Sequence, residues 1–313
     1  MTSPLFVGPV LVIGSAGFDL VGRASEKIRH GTSNPAYVRM SFGGVARNVA
    51  ENLARLGMEV TLITAVGNDG AGHRLLDQAS RAGIDVSHSI VVPDGETGAY
   101  LAILDEKGNL HLALDDMRVT SAITSDYLRD RRDLFKEAHV IFVDANLTAK
   151  TLSTAISLAK QCNVPVAADP TSLSLAPVLT EHLNDLWLIT PNEAEADALC
   201  PHSVPHADPS RAIAAARHLV TEGVDIVIIT MAEFGLGYAT SSESGHIGAI
   251  QTEILDPTGA GDALTAAVIF ALLNEIPIDE AVRLGLSAAA LTLRTNGSVV
   301  PNLSLELLYD QLR

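Results

Sequence analysis

Short apolar runs and amphipathic segments alternate along most of the chain. Val10–Ile13 is a run of aliphatic residues closed by Gly14, the pattern of a strand buried on both faces. From Gly44 to Leu56, the positions Val45, Val49, Leu53 and Leu56 recur at helical spacing, and Gly57 stops the helix. Val60–Val66 predicts a second buried strand, and Leu75–Ala82 a helix ended by Gly83. Further on, strands are expected at Val140–Val143, Val164–Ala168, Leu186–Ile189 and Asp225–Thr230. Helices are expected over Ala149–Lys160, from near Asn192, and over Pro209–Thr221, with a closing pair at Gly261–Leu273 and Asp279–Leu293.

Two stretches break this rhythm. Val21–Met40 is polar and irregular, and is expected to lie outside the core after a loop that reaches Asp19. Tyr100–Leu104 and Leu110–Leu114 flank Asp105-Glu106-Lys107-Gly108-Asn109, a β-hairpin signal that predicts a small accessory sheet. No internal repeat and no Pro-, Gly- or Ser-rich linker divides the chain. The expected architecture is α/β: one doubly wound domain over 1–313, with a mainly parallel sheet flanked by helices and a small β insertion.

Composition narrows the function classes. Lys plus Arg total 21 against 37 Asp plus Glu, a net charge of -16, and no long basic run is present. That balance argues against nucleic acid as a partner. A polyanionic substrate would have to be held by local devices such as helix N-termini and Mg²⁺. No apolar run is long enough to span a bilayer, and Met1–Pro9 lacks the basic start of a signal peptide. Cys162 and Cys200 form no CxxC pair and are expected as free thiols in a cytoplasmic protein. There is no Gly-x-x-x-x-Gly-Lys-Ser/Thr loop, no Gly-x-Gly-x-x-Gly fingerprint and no Gly-x-Ser-x-Gly elbow. His202 and His206 are four apart, but Pro201 and Pro205 exclude the helix that a metal pair would want.

The segment with the densest chemistry is Asp256-Pro257-Thr258-Gly259-Ala260-Gly261-Asp262, placed before an alanine-rich helix. Gly259, Ala260 and Gly261 let backbone N–H groups face an anion closely, and the helix start adds its positive dipole end. Asp262 beside that anion site is placed to take the proton of an attacking hydroxyl. On spacing alone, a simple helix cap with a glycine turn explains the segment about as well. Gly43 and Gly44 precede a helix and let backbone approach a polyhydroxylated ligand. Asn48 lies between Val45 and Val49 on the inward side, where a buried amide needs partners. Asp19 follows the first strand, Asn192 and Glu195 open a helix after another, and Thr230 ends a third with Gly235 beyond it.

Asp256–Asp262 closely resembles the C-terminal signature of the PfkB, or ribokinase-like, carbohydrate kinases, with Pro257 where threonine is commoner. Ser41–Ala50 resembles that family's N-terminal signature. Thr190–Glu195 resembles its Asn-x-x-Glu motif, and Thr230–Gly235 its nucleotide loop, with Ala232 in place of the middle glycine. The resemblance implies a ribokinase-like fold and transfer of the γ-phosphoryl of ATP, with Mg²⁺, to an alcohol. It implies Asp262 as base and Gly259–Gly261 as anion hole. Asp19, Gly43, Gly44, Asn48 and Asn146 would bind the acceptor. Asn192, Thr230, Gly235, Gly259 and Gly261 would bind ATP, with Glu195 on Mg²⁺ through water. Asp256 and Gly297 are the candidates for a monovalent cation such as K⁺. A lid from about 21–42 and 90–117 would exclude water, and such lids often pair in homodimers. Gly43–Gly57, with Asp144–Leu147 and Asp169–Ser172, is similar to the pseudouridine kinase subgroup, which implies a ribosyl 5′-hydroxyl as acceptor. A ribokinase or fructokinase acting on a free sugar shares these catalytic positions. A silent ligand sensor on the same scaffold is the reading from another class.

Overall fold

The computed structural model describes residues 8–200 and 208–313, so His202 and His206 lie outside the described residues. The strands in chain order are β1 (Val10–Ile13), β2 (Gly17–Ala24), β3 (Ala36–Gly43), β4 (Val60–Ile63), β5 (Ala65–Gly67), β6 (Ile84–Asp85), β7 (Ile90–Val92), β8 (Gly98–Leu104), β9 (Leu110–Asp116), β10 (Val140–Asp144), β11 (Val166–Asp169), β12 (Leu188–Ile189), β13 (Ile226–Thr230), β14 (Leu236–Thr240) and β15 (Ser244–Ile247). The helices are α1 (Val45–Arg55), α2 (Gly70–Arg81), α3 (Ser125–Arg129), α4 (Arg132–Glu137), α5 (Ala149–Cys162), α6 (Glu193–Leu199), α7 (Pro209–Thr221), α8 (Ala260–Leu273), α9 (Ile278–Leu293) and α10 (Leu305–Gln311).

Alternation along the central strands builds two cores. Val10 and Val12 of β1, with Val140 and Phe142 of β10, pack among the buried side chains of α1, α8 and α9. Leu11, Ile13, Ile141 and Val143 point the other way, among those of α5 and α7. The sheet between these layers has the order β15-β14-β13-β12-β11-β10-β1-β4-β6 and is parallel from β13 to β6. The pairings β13–β14 and β14–β15 are antiparallel, so β14 alone runs against the other strands of this sheet. This is the ribokinase-like α/β fold. Ala263–Ala271 of α8 is buried throughout, because α1 and α9 cover the helix where the sheet does not.

A second sheet, β3-β2-β8-β9, stands beside the first. The hairpin Tyr100–Leu114 is present as β8 and β9. Val21–Met40, by contrast, is not irregular: it holds the end of β2 and most of β3, paired antiparallel. Asp19 therefore sits on a strand and not in a loop. The pairing energy of β2 comes from β3 and β8, partners that local polarity does not reveal. Val60–Val66 is also split. The chain leaves the main sheet at Thr64, whose carbonyl accepts from Ile90, and Ala65–Gly67 pairs with β7 instead. The helix predicted from Leu75 starts earlier, at Gly70, capped by Asp69, which accepts from the Gly72 N–H at 2.7 Å. Among the described residues, no helix is long and apolar enough to cross a membrane, and both cysteines are free.

Candidate active site

In a doubly wound sheet, ligands bind beyond the carboxyl ends of the strands. Here those ends deliver Ser15 after β1, Asp144 and Asn146 at β10, Asp169 at β11, Thr190 after β12 and Thr230 at β13. Two cavities lie there. One, of about 370 Å³, is lined by Ser15, Asp19, Asn48, Tyr100, Asn146 and Asp262, with Gly44 at its wall. The other, of about 510 Å³ and largely apolar, is lined by Asn192, Thr230, Gly235, Ile250, Gly261 and Leu286. Pro257 borders both, so the first turn of α8 stands between them.

That turn is set by Gly259, the N-cap of α8, whose φ of 80° lies in the left-handed region. A Cβ there would come within 2.3 Å of the Ser298 carbonyl oxygen. The opening N–H groups of α8, at Ala260, Gly261 and Asp262, have no partner inside the helix. Asp262 faces the smaller cavity and accepts a hydrogen bond from Asn48 Nδ2 at 2.7 Å. Burial pushes its carboxyl up to about 7; Asp19 and Asp144 add to the rise, while the Asn48 bond and Arg47 oppose it.

Asp19 approaches from the second sheet. Gly43 on the neighbouring strand makes room for it, since a Cβ there would lie 2.2 Å from Asp19 Oδ1. Asp19 is buried, and burial pushes it up to about 6, against Arg47 and with help from Asp256. Gly44 begins α1 at a φ of 93°. Neither Ser15 nor Asp144 is given a site role by the sequence, where Asp144 figures only as part of the stretch Asp144–Leu147. Yet the fully buried Asp144 carboxylate accepts from Ser15 Oγ at 2.6 Å, Ser15 N at 2.8 Å, Asn146 N at 3.0 Å and Ala46 N at 3.1 Å. Asn146 Nδ2 donates to Ser15 Oγ at 3.1 Å, which aims the amide across the cavity floor. The stretch Asp144–Leu147 after a strand is the signal that points to Asp144 in the sequence.

Beside the larger cavity, Asn192 and Glu195 cap α6 as a reciprocal box. Asn192 Oδ1 accepts from Glu195 N at 3.0 Å, and Glu195 Oε2 accepts from Asn192 N at 2.9 Å. Asn192 is thus the N-cap of α6. Burial raises Glu195, and it raises Asp169 further with the charge of Glu195 beside it. Two buried carboxylates opposing each other fit a divalent cation, which would relieve both the desolvation and the repulsion. Thr230 N donates to the Pro191 carbonyl at 2.9 Å. Ala232, in the loop after β13, adopts a φ of 47°, a conformation that favours glycine.

Asp256 is buried and accepts from Thr258 N at 3.0 Å. Arg39 of β3 reaches it at 3.6 Å and donates to Asn296 Oδ1 at 2.8 Å, so Arg39 joins the two segments that hold Asp256 and Gly297. The structure therefore brings Asp19, Gly44, Asn48, Asn146 and Asp262 together at one cavity, with Gly43 packed against the Asp19 carboxyl and not on the lining. Asn192, Thr230, Gly235 and Gly261 gather at the adjoining one.

A carboxylate facing a cavity lined by Ser15, Asp19, Asn48 and Asn146, beside a largely apolar cavity and an open helix N-terminus, is an arrangement able to receive an anionic group next to a proton acceptor. The chain belongs to the pfkB family of carbohydrate kinases, whose pattern it matches over residues 9–304. It is accordingly a phosphotransferase with an alcohol group as acceptor. It is 33% identical to the pseudouridine kinase of Escherichia coli over 95% of this chain and 94% of that protein. It is 29% identical to the guanosine-inosine kinase of Exiguobacterium acetylicum, over 94% and 97%. Among solved structures, Arabidopsis thaliana ribokinase complexed with ribose and ATP superposes with a TM-score of 0.85. That match covers 98% of this chain and 99% of the other at 20% identity, a likeness of fold.

Proposed function

We propose that the protein is an ATP-dependent nucleoside kinase that phosphorylates the 5′-hydroxyl of a ribosyl substrate, pseudouridine first. The observation that carries this reading is the placement of Asp262 at the border of the two cavities, held by Asn48. The likeness to the E. coli pseudouridine kinase supports the acceptor.

In this reading the acceptor lies in the smaller cavity. Asp19, Asn48 and Asn146 hold its hydroxyls, and the Gly43-Gly44 backbone lets it approach closely. The acceptor hydroxyl points at Asp262, which accepts its proton as oxygen attacks the γ-phosphorus. The proton ends on the carboxylate, and ADP leaves. The N–H groups at Gly259, Ala260 and Gly261 stabilise charge on the phosphoryl oxygens. Asn192, Thr230 and Gly235 line the place of ATP, with its base in the apolar end by Ile250 and Leu286. Mg²⁺, held near Glu195 through water with Asp169 close by, would supply positive charge against the phosphates. A monovalent cation such as K⁺ would sit at Asp256 and the Gly297 turn. Arg39 already offers a positive charge there, and assays in potassium, sodium and cation-depleted buffer decide whether a metal is needed too.

The whole chain is one kinase domain. The sheet β3-β2-β8-β9, from about 21–42 and 90–117, acts as its lid, closing over the acceptor to exclude water. The outer face of that sheet seats a second copy, giving a cytoplasmic homodimer that engages neither nucleic acid nor membrane. A coupled assay of ATP consumption with pseudouridine, uridine, adenosine, ribose and fructose tests the acceptor. The proposal expects pseudouridine to give the highest kcat/KM. Equal or better use of the free sugars would replace it with a sugar kinase, and nucleoside binding without ATP turnover would replace it with a sensor.

A further inference from the structure

Asn48 reaches Asp262 through its amide nitrogen, and an amide can present either end to a partner. What decides the orientation lies behind it. Arg47 Nη1 donates to Asn48 Oδ1 at 2.7 Å. Ser298 Oγ lies 2.9 Å from the same oxygen and 2.7 Å from the Phe42 carbonyl. A hydroxyl has one proton, which these two acceptors share. The guanidinium has donors only, so Arg47 is the group that cannot tolerate a flipped amide. A flip would set NH₂ against guanidinium and turn a carbonyl oxygen towards the Asp262 carboxylate.

Arg47 itself is held firmly. It is buried, ion-paired with the equally buried Glu51 one turn on, and donates to Gln78 Oε1 at 2.8 Å. Gln78 Nε2 donates in turn to both Glu51 oxygens at 3.0 Å, and Arg55 closes the far side of Glu51. Among the described residues, Arg47 Nε finds no acceptor although it is buried. A buried ion pair of this kind stabilises a fold little and leaves one donor unsatisfied, so stability alone does not account for it.

We infer that Arg47, assisted by Ser298, is a positioning residue for phosphoryl transfer: it locks the Asn48 amide so that its NH₂ edge holds the Asp262 carboxylate towards the acceptor. The inference rests on the proposed role of Asp262 as base. The charged groups around Asp262 are Arg47 from α1, Asp19 from β2, Asp144 from β10 and Asp169 from β11. Arg47 is the one cation among them, and its charge favours the ionised base.

The test is the pH profile of kcat/KM for the best acceptor in wild type, Arg47→Met, Arg47→Lys and Ser298→Ala. The base must be ionised, so activity rises with pH through its pKa. Losing Arg47 moves that limb to higher pH by about one unit, which is about tenfold in activity on the acid side. Arg47→Lys keeps charge but not the fork and falls between, and Ser298→Ala shifts in the same direction by less. A purely structural role would lower the active fraction at every pH and leave the midpoint in place, and that result overturns the inference. Should Arg47→Met fail to fold, Arg47→Lys and Ser298→Ala carry the same comparison. Asp262→Asn separates the two levels: an inactive Asp262→Asn with unmoved profiles sinks only the role of Arg47, whereas an active Asp262→Asn sinks the base assignment itself.

Discussion

Ala232 illustrates how a single residue records both family pattern and local strain. Its φ of 47° is a conformation that an alanine Cβ resists by about 1–2 kcal/mol. Ala232→Gly removes that strain but loosens the unfolded chain by roughly 0.4–1 kcal/mol. A net gain of about 0.5 kcal/mol in urea denaturation is expected, with kinase activity retained. Asp262 shows the opposite compromise. Its folded-state pKa of about 7 lies above the ordinary carboxylate value of 3.8, so the folded protein prefers the protonated form. The associated stability is present at low pH and is lost as pH rises towards and through 7. Asp262→Asn cannot ionise, so it is expected to be more stable than wild type at pH 8, the difference shrinking towards pH 4. Melting curves of the two ligand-free proteins across that range check it, and a difference independent of pH would contradict it. Asp262 and the glycines before it could be picked out because their chemistry is compressed into seven consecutive residues. The Asn48–Asp262 and Ser15–Asp144 bonds could not, since each joins residues more than a hundred positions apart.

Asp144 acts at the scale of elements. One buried carboxylate ties the end of β1, the start of α1 and the turn after β10, through donors from Ser15, Ala46 and Asn146. Asp144→Ala leaves those donors without their acceptor. A loss on the order of 3 kcal/mol or more is expected in chemical denaturation. Asp144→Asn keeps the shape and some acceptors, and should lose less. Elements with a strong local period were legible in the sequence. α1 carries its apolar stripe at Val45, Val49 and Leu53, and β1 and β10 are unbroken apolar runs. The elements that sequence reading missed lack such a period. β14 and β15 include Gly237, Ser244, Gly245 and His246, and exist because β13 offers an edge to pair with. In β2, Gly17, Asp19, Gly22 and Arg23 break the apolar run, while two neighbouring strands supply its hydrogen bonds.

At the scale of the whole molecule, the second sheet has an apolar face turned outwards. Register aligns Met40, Leu20, Leu101 and Leu114 in one cross-strand row, and Val38, Gly22, Ile103 and Leu112 in the next. Val38 is 67% exposed and Leu114 57%, a degree of apolar exposure in one patch that favours a partner surface. With the proposed dimer, Val38→Glu combined with Leu112→Lys should give a monomer by light scattering. An unchanged mass would move the interface elsewhere, and a wild type that is already monomeric would remove it. In the proposed function, the two-cavity arrangement and the family membership converge on the carboxylate at the head of α8. The most direct test is a single-turnover measurement of phosphoryl transfer from ATP to pseudouridine by wild type and Asp262→Asn, with nucleotide binding measured in parallel. Unaltered ATP binding with transfer slowed by about 10²–10⁴-fold is the predicted result. Transfer by Asp262→Asn within a few-fold of wild type would contradict it.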